Sequence, residues 1–337
     1  MRKIDVFNHI QPENYFRHVQ GLDAAKEGLG KRTSGNLRLR DLDQRFRLMD
    51  EFGEGYCQVI TIPGPQPALL AGPDKSPEIA RIGNDGLAEL CRRHPERFVG
   101  FAATLPMNNV DAAIDEARRA VKDLGALGVE IFTNIRGKPL DAPELQPFWD
   151  ALADLDRPVW MHPTRSANLP DYSSEKKSRY EIWLIFGYPY ETSAAMARLV
   201  FSGLFDRHPN LKIITHHMGG MTPYFEGRVG PGWEGMGTRT SDEDYSGVLS
   251  SLKRPHAEYF KEFFYGDTAL FGAKAGTKCG LDYFGADHVL FASDYPFDPE
   301  PGQFIRDTIA IIDALDISGE DRARIYHGNA ERLLGLA

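Results

Sequence analysis

The chain has 337 residues, with 39 Lys and Arg against 48 Asp and Glu, a formal net charge of -9 and a hydrophobic content of 42%. The apolar content allows a large core, and the acidic balance, with no long run of Lys or Arg, excludes a surface built to grip a phosphate backbone and so excludes nucleic acid as a partner. Cys57, Cys91 and Cys279 are odd in number, far apart and without C-x-x-C spacing, which excludes a disulfide framework or thiolate zinc site and points to a reducing cytoplasm.

The opening segment, MRKIDVFNHIQPENYF, carries two basic residues, but Asp5, Asn8 and His9 interrupt its apolar stretch, so it does not read as a signal peptide. No stretch approaches the roughly 18 apolar residues of a membrane span. Eight short runs rich in β-branched and aromatic residues follow along the chain, at 3–8, 58–62, 98–104, 128–132, 158–162, 211–217, 263–267 and 288–294. Between them lie helical patterns such as AAIDEARRAVKDLGA at 112–126 and PELQPFWDALADLD at 143–156, the second opened by a proline suited to a first helical turn. Eight strand–helix units predict one closed (β/α)8 TIM barrel over 1–337 rather than two domains. Two stretches break the repeat, 10–44 after the first strand and 164–190 after the fifth. Both leave the C-terminal ends of strands, where barrel active sites are built, and are expected to act as lids or interface elements.

The polar residues that stand out also sit at strand ends: His9, His162, the pair His216 and His217, and Asp294. A hydrophobic strand ending in His or Asp is costly unless the polar group is satisfied, and several such groups at one barrel mouth suit a divalent cation. Neutral imidazoles with one carboxylate favour zinc and tolerate manganese or iron.

Longer segments carry a resemblance. HPERFVGFAATLPM, SGLFDRHPNLKI, HHMGG and SDYPF, within a similarity that runs from KIDVFNHIQP to GNAERLLGL, resemble the amidohydrolase superfamily in the branch of aminocarboxymuconate semialdehyde decarboxylase and gamma-resorcylate decarboxylase. The resemblance implies that His9, His162 and Asp294 hold the metal, Asp294 ligating or handling a proton, and that His217 is the acid or base. The family's first strand ends in H-x-H or E-x-H, whereas this chain has Phe7, Asn8 and His9. A phenyl ring cannot coordinate a cation, and strand alternation points Asn8 away from the face shared by Phe7 and His9. The same alternation groups Ile213, Thr215 and His217, and places His216 on the opposite face, between barrel and helices.

Arg228 matches an arginine that in the family reaches a neighbouring subunit's site and binds a substrate carboxylate, which implies a homodimer. Arg38 and Arg40 lie where the family carries a further substrate-binding arginine. Asp267 is read as standing behind the ligands, and Glu191 as part of a segment in which Thr192 caps a helix. Glu130 has either the barrel interior or the helices open to it, and Trp160 and Phe132 are expected to pack. The implied activity is metal-dependent, non-oxidative decarboxylation of a small aromatic or conjugated carboxylic acid. A hydrolase acting on a lactone, amide or carbon–carbon bond is the alternative, and a metal-free, non-catalytic subunit is the third reading, which metal content separates from the other two.

Overall fold

The computed structural model describes residues 1–336 apart from 27, 240–242 and 246. Eight strands, β1 (Lys3–His9), β2 (Tyr56–Thr61), β3 (Phe98–Thr104), β4 (Gly128–Phe132), β5 (Val159–His162), β6 (Ile213–Thr215), β7 (Phe264–Asp267) and β8 (Val289–Leu290), form one sheet in chain order. Every neighbouring pair is parallel. The sheet closes on itself: the Val6 amide donates to Phe291 O at 2.9 Å, Asp294 N to Phe7 O at 3.2 Å, and His9 N to Tyr295 O at 2.9 Å. Closure leaves no exposed edge and brings His9 beside Asp294, although they lie 285 positions apart in sequence. The expectation of a TIM barrel holds.

The barrel has two apolar layers, set by the two-residue period of its strands. Ile4, Val59, Ala102, Trp160, Ile214 and Leu290 fill the interior, where the Trp160 indole donates to Val6 O at 2.9 Å. Ile60, Phe101, Ile131, Met161 and Ile213 point outward onto the helices, meeting residues such as Ile79, Leu87, Ala117, Leu152 and Leu199. Each such large side chain contributes about 1.5–3 kcal/mol by leaving water. The seam is fastened by Asp5, whose carboxyl accepts from Tyr56 OH at 2.7 Å, Ser293 Oγ at 2.6 Å and Ser293 N at 3.0 Å.

The helix expected at 112–126 is Val110–Lys122, capped by the Asn109 side chain on the Ala112 amide, and that at 143–156 is a 3-10 turn followed by Gln146–Leu155. β6 and β8 are shorter than the runs that predicted them. Beyond them the backbone turns left-handed at the mouth, with φ of 56° at His217, 54° at Met218 and 61° at Asp294. Positive φ is uncommon for residues with a Cβ, and its clustering here means that the loops are bent to aim side chains inward. No helix among the described residues is long and apolar enough to cross a membrane.

Candidate active site

Four imidazoles meet at the C-terminal mouth of the barrel, each tethered from behind through Nδ1. His162 Nδ1 lies 2.7 Å from Pro163 O, His217 Nδ1 2.7 Å from Ala269 O, His9 Nδ1 2.9 Å from Thr61 Oγ1, and His216 Nδ1 2.5 Å from Asp267 Oδ2. A carbonyl oxygen only accepts, so Nδ1 carries the proton in His162 and His217, and their Nε2 atoms present bare lone pairs. This back-bonding is the way proteins fix the tautomer and ring plane of metal-binding or acid–base histidines. Burial, reinforced by the neighbouring imidazoles, holds His162 well below its ordinary value, and burial likewise lowers His9. Burial and the charge of His216 push His217 down to about 4, so its ring is neutral at pH 7.

Asp294 stands against this group. Its Oδ1 is 3.1 Å from His9 Nε2 and 3.3 Å from His216 Nε2, yet both nitrogens are buried without an acceptable hydrogen bond. Burial alone would raise the Asp294 carboxyl, but His216 and His9 override it and hold it well below the usual range. Burial also opposes charge on His216, but Asp267 and Asp294 outweigh it and raise that ring to about 10. The two carboxylates therefore form an anionic socket that calls for a positive charge between them. Donor atoms of His9, His162 and His216 lie within 4.8 Å of one another, as do those of His216, His217 and Asp294. The imidazoles of His9, His162 and His217 kept neutral by burial, one ionised carboxylate and orphaned ring nitrogens suit a divalent cation, which would take the place of the proton on His216.

His9, His162, His217 and Asp294 are thus brought together, as their strand-end positions predicted. His216 is not between barrel and helices. Its ring is fully buried inside the barrel, following the parity of Ile214, and stacks on His217 with centroids 3.8 Å apart. The expectation took the wrong face of β6: Ile213 points outward and Ile214 inward, so His216 follows Ile214 into the barrel, and the left-handed turn at His217 brings that ring to the mouth as well. Asp267 stands behind the pair, its Oδ1 also accepting from His217 N at 2.9 Å and Ala269 N at 3.1 Å.

The mouth opens into a cavity of about 330 Å3 walled by Leu29, Leu184, Tyr188, Phe271 and Phe297, with His162, His217 and Asp294 at its polar end. Both expected insertions contribute, Leu29, Arg32 and Thr33 coming from 10–44, and Leu184, Ile185 and Tyr188 from 164–190. Arg38 and Arg40 do not line it. Arg38 is engaged with Asp298, donating to its backbone O at 2.7 Å, while Arg40 donates to Gln11 Oε1 at 2.9 Å and covers the Phe16 ring at 3.7 Å. The arginine at the cavity is Arg32, poised 5.1 Å from the centroid of Phe297. Arg228 lies on the exposed turn Glu226–Val229, away from these groups.

Other readings settle similarly. Thr192 caps nothing, because its helix begins at Gly187, and Glu191 instead pairs with Arg165 at 2.8 Å. Trp160 and Phe132 pack, Phe132 against His162 at 5.0 Å between ring centroids. Glu130 faces inward toward Thr61 and His216, and burial raises it to about 8, so at pH 7 it is mostly a neutral acid. No sequence signal marks Arg45, a buried guanidinium that donates to His9 O at 2.6 Å and Gln58 Oε1 at 2.9 Å and so fixes the end of β1.

Comparison with known proteins agrees with this geometry. The sequence matches the Amidohydrolase family over residues 61–336. It is 35% identical over 316 residues to a gamma-resorcylate decarboxylase of Rhizobium radiobacter, covering 89% of each chain. Among solved structures it is similar to a 2,6-dihydroxybenzoate decarboxylase complexed with 2,6-dihydroxybenzoate, with a TM-score of 0.80, 29% identity and coverage of 99% of this chain and 100% of the other. It is also similar to a dihydroxybenzoic acid decarboxylase from Polaromonas sp. JS666 with bound manganese and the inhibitor 2-nitroresorcinol, with a TM-score of 0.78, 30% identity and coverage of 99% and 97%.

Proposed function

The chain belongs to the amidohydrolase family, and from that premise we propose that it is a metal-dependent, non-oxidative decarboxylase of a small aromatic carboxylic acid. The observation that carries the proposal is the shape of the cavity: apolar, sized for one substituted ring, and polar where His162, His217 and Asp294 meet it. His9, His162 and Asp294 are the residues that hold the cation. When bound, it supplies positive charge that orients an anionic substrate and offsets negative charge during the reaction. Zinc, manganese and iron all accept this donor set, and the manganese of the Polaromonas relative makes manganese the first ion to test.

The chain's own groups then divide the work. Leu184, Phe271 and Phe297 flank the ring and exclude water, and Arg32 offers a charge-assisted contact to an anionic substituent. His217 Nε2, unprotonated because Nδ1 donates to Ala269 O, is placed to take the proton of a ring hydroxyl and return it to the carbon that bears the carboxylate. A carbon–hydrogen bond forms there, the carbon–carbon bond breaks, its electron pair returns to the ring, and carbon dioxide leaves. A hydroxybenzoate anion thereby becomes a phenolate and carbon dioxide, with atoms and charge conserved. We further propose that the working unit is a homodimer, in which Arg228 of one subunit approaches the other's cavity.

The test is to incubate the protein with a panel of hydroxylated benzoates in heavy water, after chelation and after adding single divalent ions. Carbon dioxide release, with one deuterium at the vacated ring position, is the expected result. Oxygen incorporation from water without carbon dioxide would establish a hydrolase instead.

A further inference from the structure

Phe7 removes the donor that the first strand would supply, and the site's donors reveal what stands in its place. His216 follows β6, separated from β1 by β7 and β8, and stacks across the barrel interior directly on the Phe7 ring with centroids 3.9 Å apart. Its Nδ1 is held by Asp267 at 2.5 Å, its Nε2 is buried without an acceptable hydrogen bond 3.3 Å from Asp294 Oδ1, and the residue belongs both to the donor group of His9 and His162 and to that of His217 and Asp294. We propose that His216 is the metal ligand that replaces the missing first-strand donor, so that the cation is held by Nε2 of His9, His162 and His216 together with Asp294.

Three geometric facts support this assignment, which rests on the metal-dependent reading above. First, two donors sharing one cation at bond lengths of about 2.0–2.1 Å in a tetrahedral site lie roughly 3.3 Å apart. Asp294 Oδ1 stands 3.1 Å from His9 Nε2 and 3.3 Å from His216 Nε2, the separations such a site requires. Second, an imidazole with a carboxylate on its far nitrogen is the oriented, electron-rich ligand that metal sites recruit, and Asp267 provides that carboxylate. Third, His217 is left free for proton transfer. Its tether is a backbone carbonyl, and it reaches the cavity wall, where His216 does not. Phe7 fits the same scheme, since a flat hydrocarbon face beneath His216 fixes the ring plane and leaves both nitrogens in that plane to meet Asp267 and Asp294.

The experiment measures metal affinity, not turnover. The chelator-stripped protein is titrated with Mn2+ alone by calorimetry, as wild type, His162→Ala, His216→Gln, and the double variant Phe7→Glu with His216→Gln, each checked for folding by circular dichroism. Wild type is expected to bind one ion per chain, and His216→Gln to bind at least about tenfold more weakly. The double variant, which restores a first-strand carboxylate, is expected to recover part of that loss. Should His216→Gln fail to fold, wild type loaded with Cu2+ still decides the matter: hyperfine coupling is expected to count three imidazole nitrogens. Wild-type affinity in His216→Gln, or two nitrogens in the copper spectrum, would overturn the assignment while leaving a His9, His162 and Asp294 site intact. Absence of Mn2+ binding in wild type would instead remove the metal-dependent reading itself, with His216 then acting as a protonated bridge between Asp267 and Asp294.

Discussion

The Phe7 ring lies nearly parallel to the His216 imidazole, with 26° between their planes. Phe7 is fully buried, and its ring also approaches those of His9 and His162 at 5.6 and 5.9 Å, so it forms the floor on which three of the four imidazoles rest. Phe7→Ala is expected to cost about 3–5 kcal/mol of folding stability, as emptied aromatic core sites do, and to loosen His216. Urea unfolding of the metal-free protein gives the number. A loss below about 1 kcal/mol would show that the ring does not support the site.

Removing the metal is expected to abolish decarboxylation and to lower stability together. An ion that binds only the folded chain adds about 2.7 kcal/mol at a concentration of 100 times its Kd. Chelation followed by return of Mn2+, Zn2+ or Fe2+ should restore activity and thermal stability in parallel, and Asp294→Ala should block both recoveries. Full activity in the stripped protein, with His9→Ala harmless, would end the metal hypothesis.

Glu130 makes stability depend on pH with a definite sign. Burial raises its carboxyl to about 8, against an ordinary value of 4.5 in the unfolded chain. Between those two values the unfolded chain releases the proton and the folded chain keeps it. This group therefore costs nothing below pH 4.5, costs progressively more as pH rises, and exerts its full penalty above about 8. At pH 7 the cost is on the order of 3 kcal/mol. Glu130→Gln removes the titration, so the stability gap between variant and wild type should widen in the variant's favour from pH 5 to pH 8. Parallel pH profiles would refute this assignment of the proton.

How much of the site was legible depends on whether a residue sits on regular strand. His162 ends a strand that keeps the two-residue period with Trp160, whereas β1 shifts register between Asp5 and Asn8, so that Ile4 and His9 both face inward and His9 is read from its place at the strand end. At β6 the face was assigned the wrong way round, since Ile214 and His216 share the interior, and nothing in KIITHHMGG announces that the backbone turns left-handed at His217 and Met218 and brings His217 to the mouth too. Asp294, with φ of 61°, is marked by its place at the end of an apolar run and by its SDYPF setting, not by alternation. The eight strands were legible because parallel barrel strands are buried on both faces and read as apolar runs. Arg32 was not legible, since it lies on the short helix Gly28–Gly35 whose placement over the mouth depends on the folding of an insertion. Arg45 is not legible either, because a guanidinium buried against a backbone carbonyl and a glutamine has no pattern in one dimension.

Arg32 is the arginine facing the cavity, whereas Arg38 and Arg40 are committed to other partners. Hydrogen bonds to charged groups contribute about 1.5–3 kcal/mol, which corresponds to roughly 10- to 150-fold in affinity. Arg32→Ala is therefore expected to raise KM by at least tenfold with a smaller effect on kcat, and Arg32→Lys to retain part of the affinity. His217→Ala should do the reverse, lowering kcat while leaving KM nearly unchanged. If instead Arg38→Ala raises KM and Arg32→Ala does not, the carboxylate is bound elsewhere.

The segment that lines the cavity from the second insertion also carries the apolar surface of this face. Tyr172, Tyr180 and Phe186 are 73%, 86% and 70% exposed, and Ile185 and Tyr190 are exposed beside them in sequence. Large exposed rings on one lid segment are costly to leave in water and mark a surface that another chain covers. A self-complementary contact between two copies is the commonest solution, and it would order the lid over the cavity and carry Arg228 toward the partner. Sedimentation is expected to show a dimer, and Phe186→Asp with Tyr180→Asp to yield monomers whose KM rises because Leu184 and Tyr188 lose their support. Mixing Arg228→Ala subunits with His217→Ala subunits should then restore activity to a fraction of the dimers, since one of the two sites in each mixed pair regains both groups. A wild-type monomer at working concentration would refute the dimer, and a dimer without rescue would place Arg228 outside the partner's site.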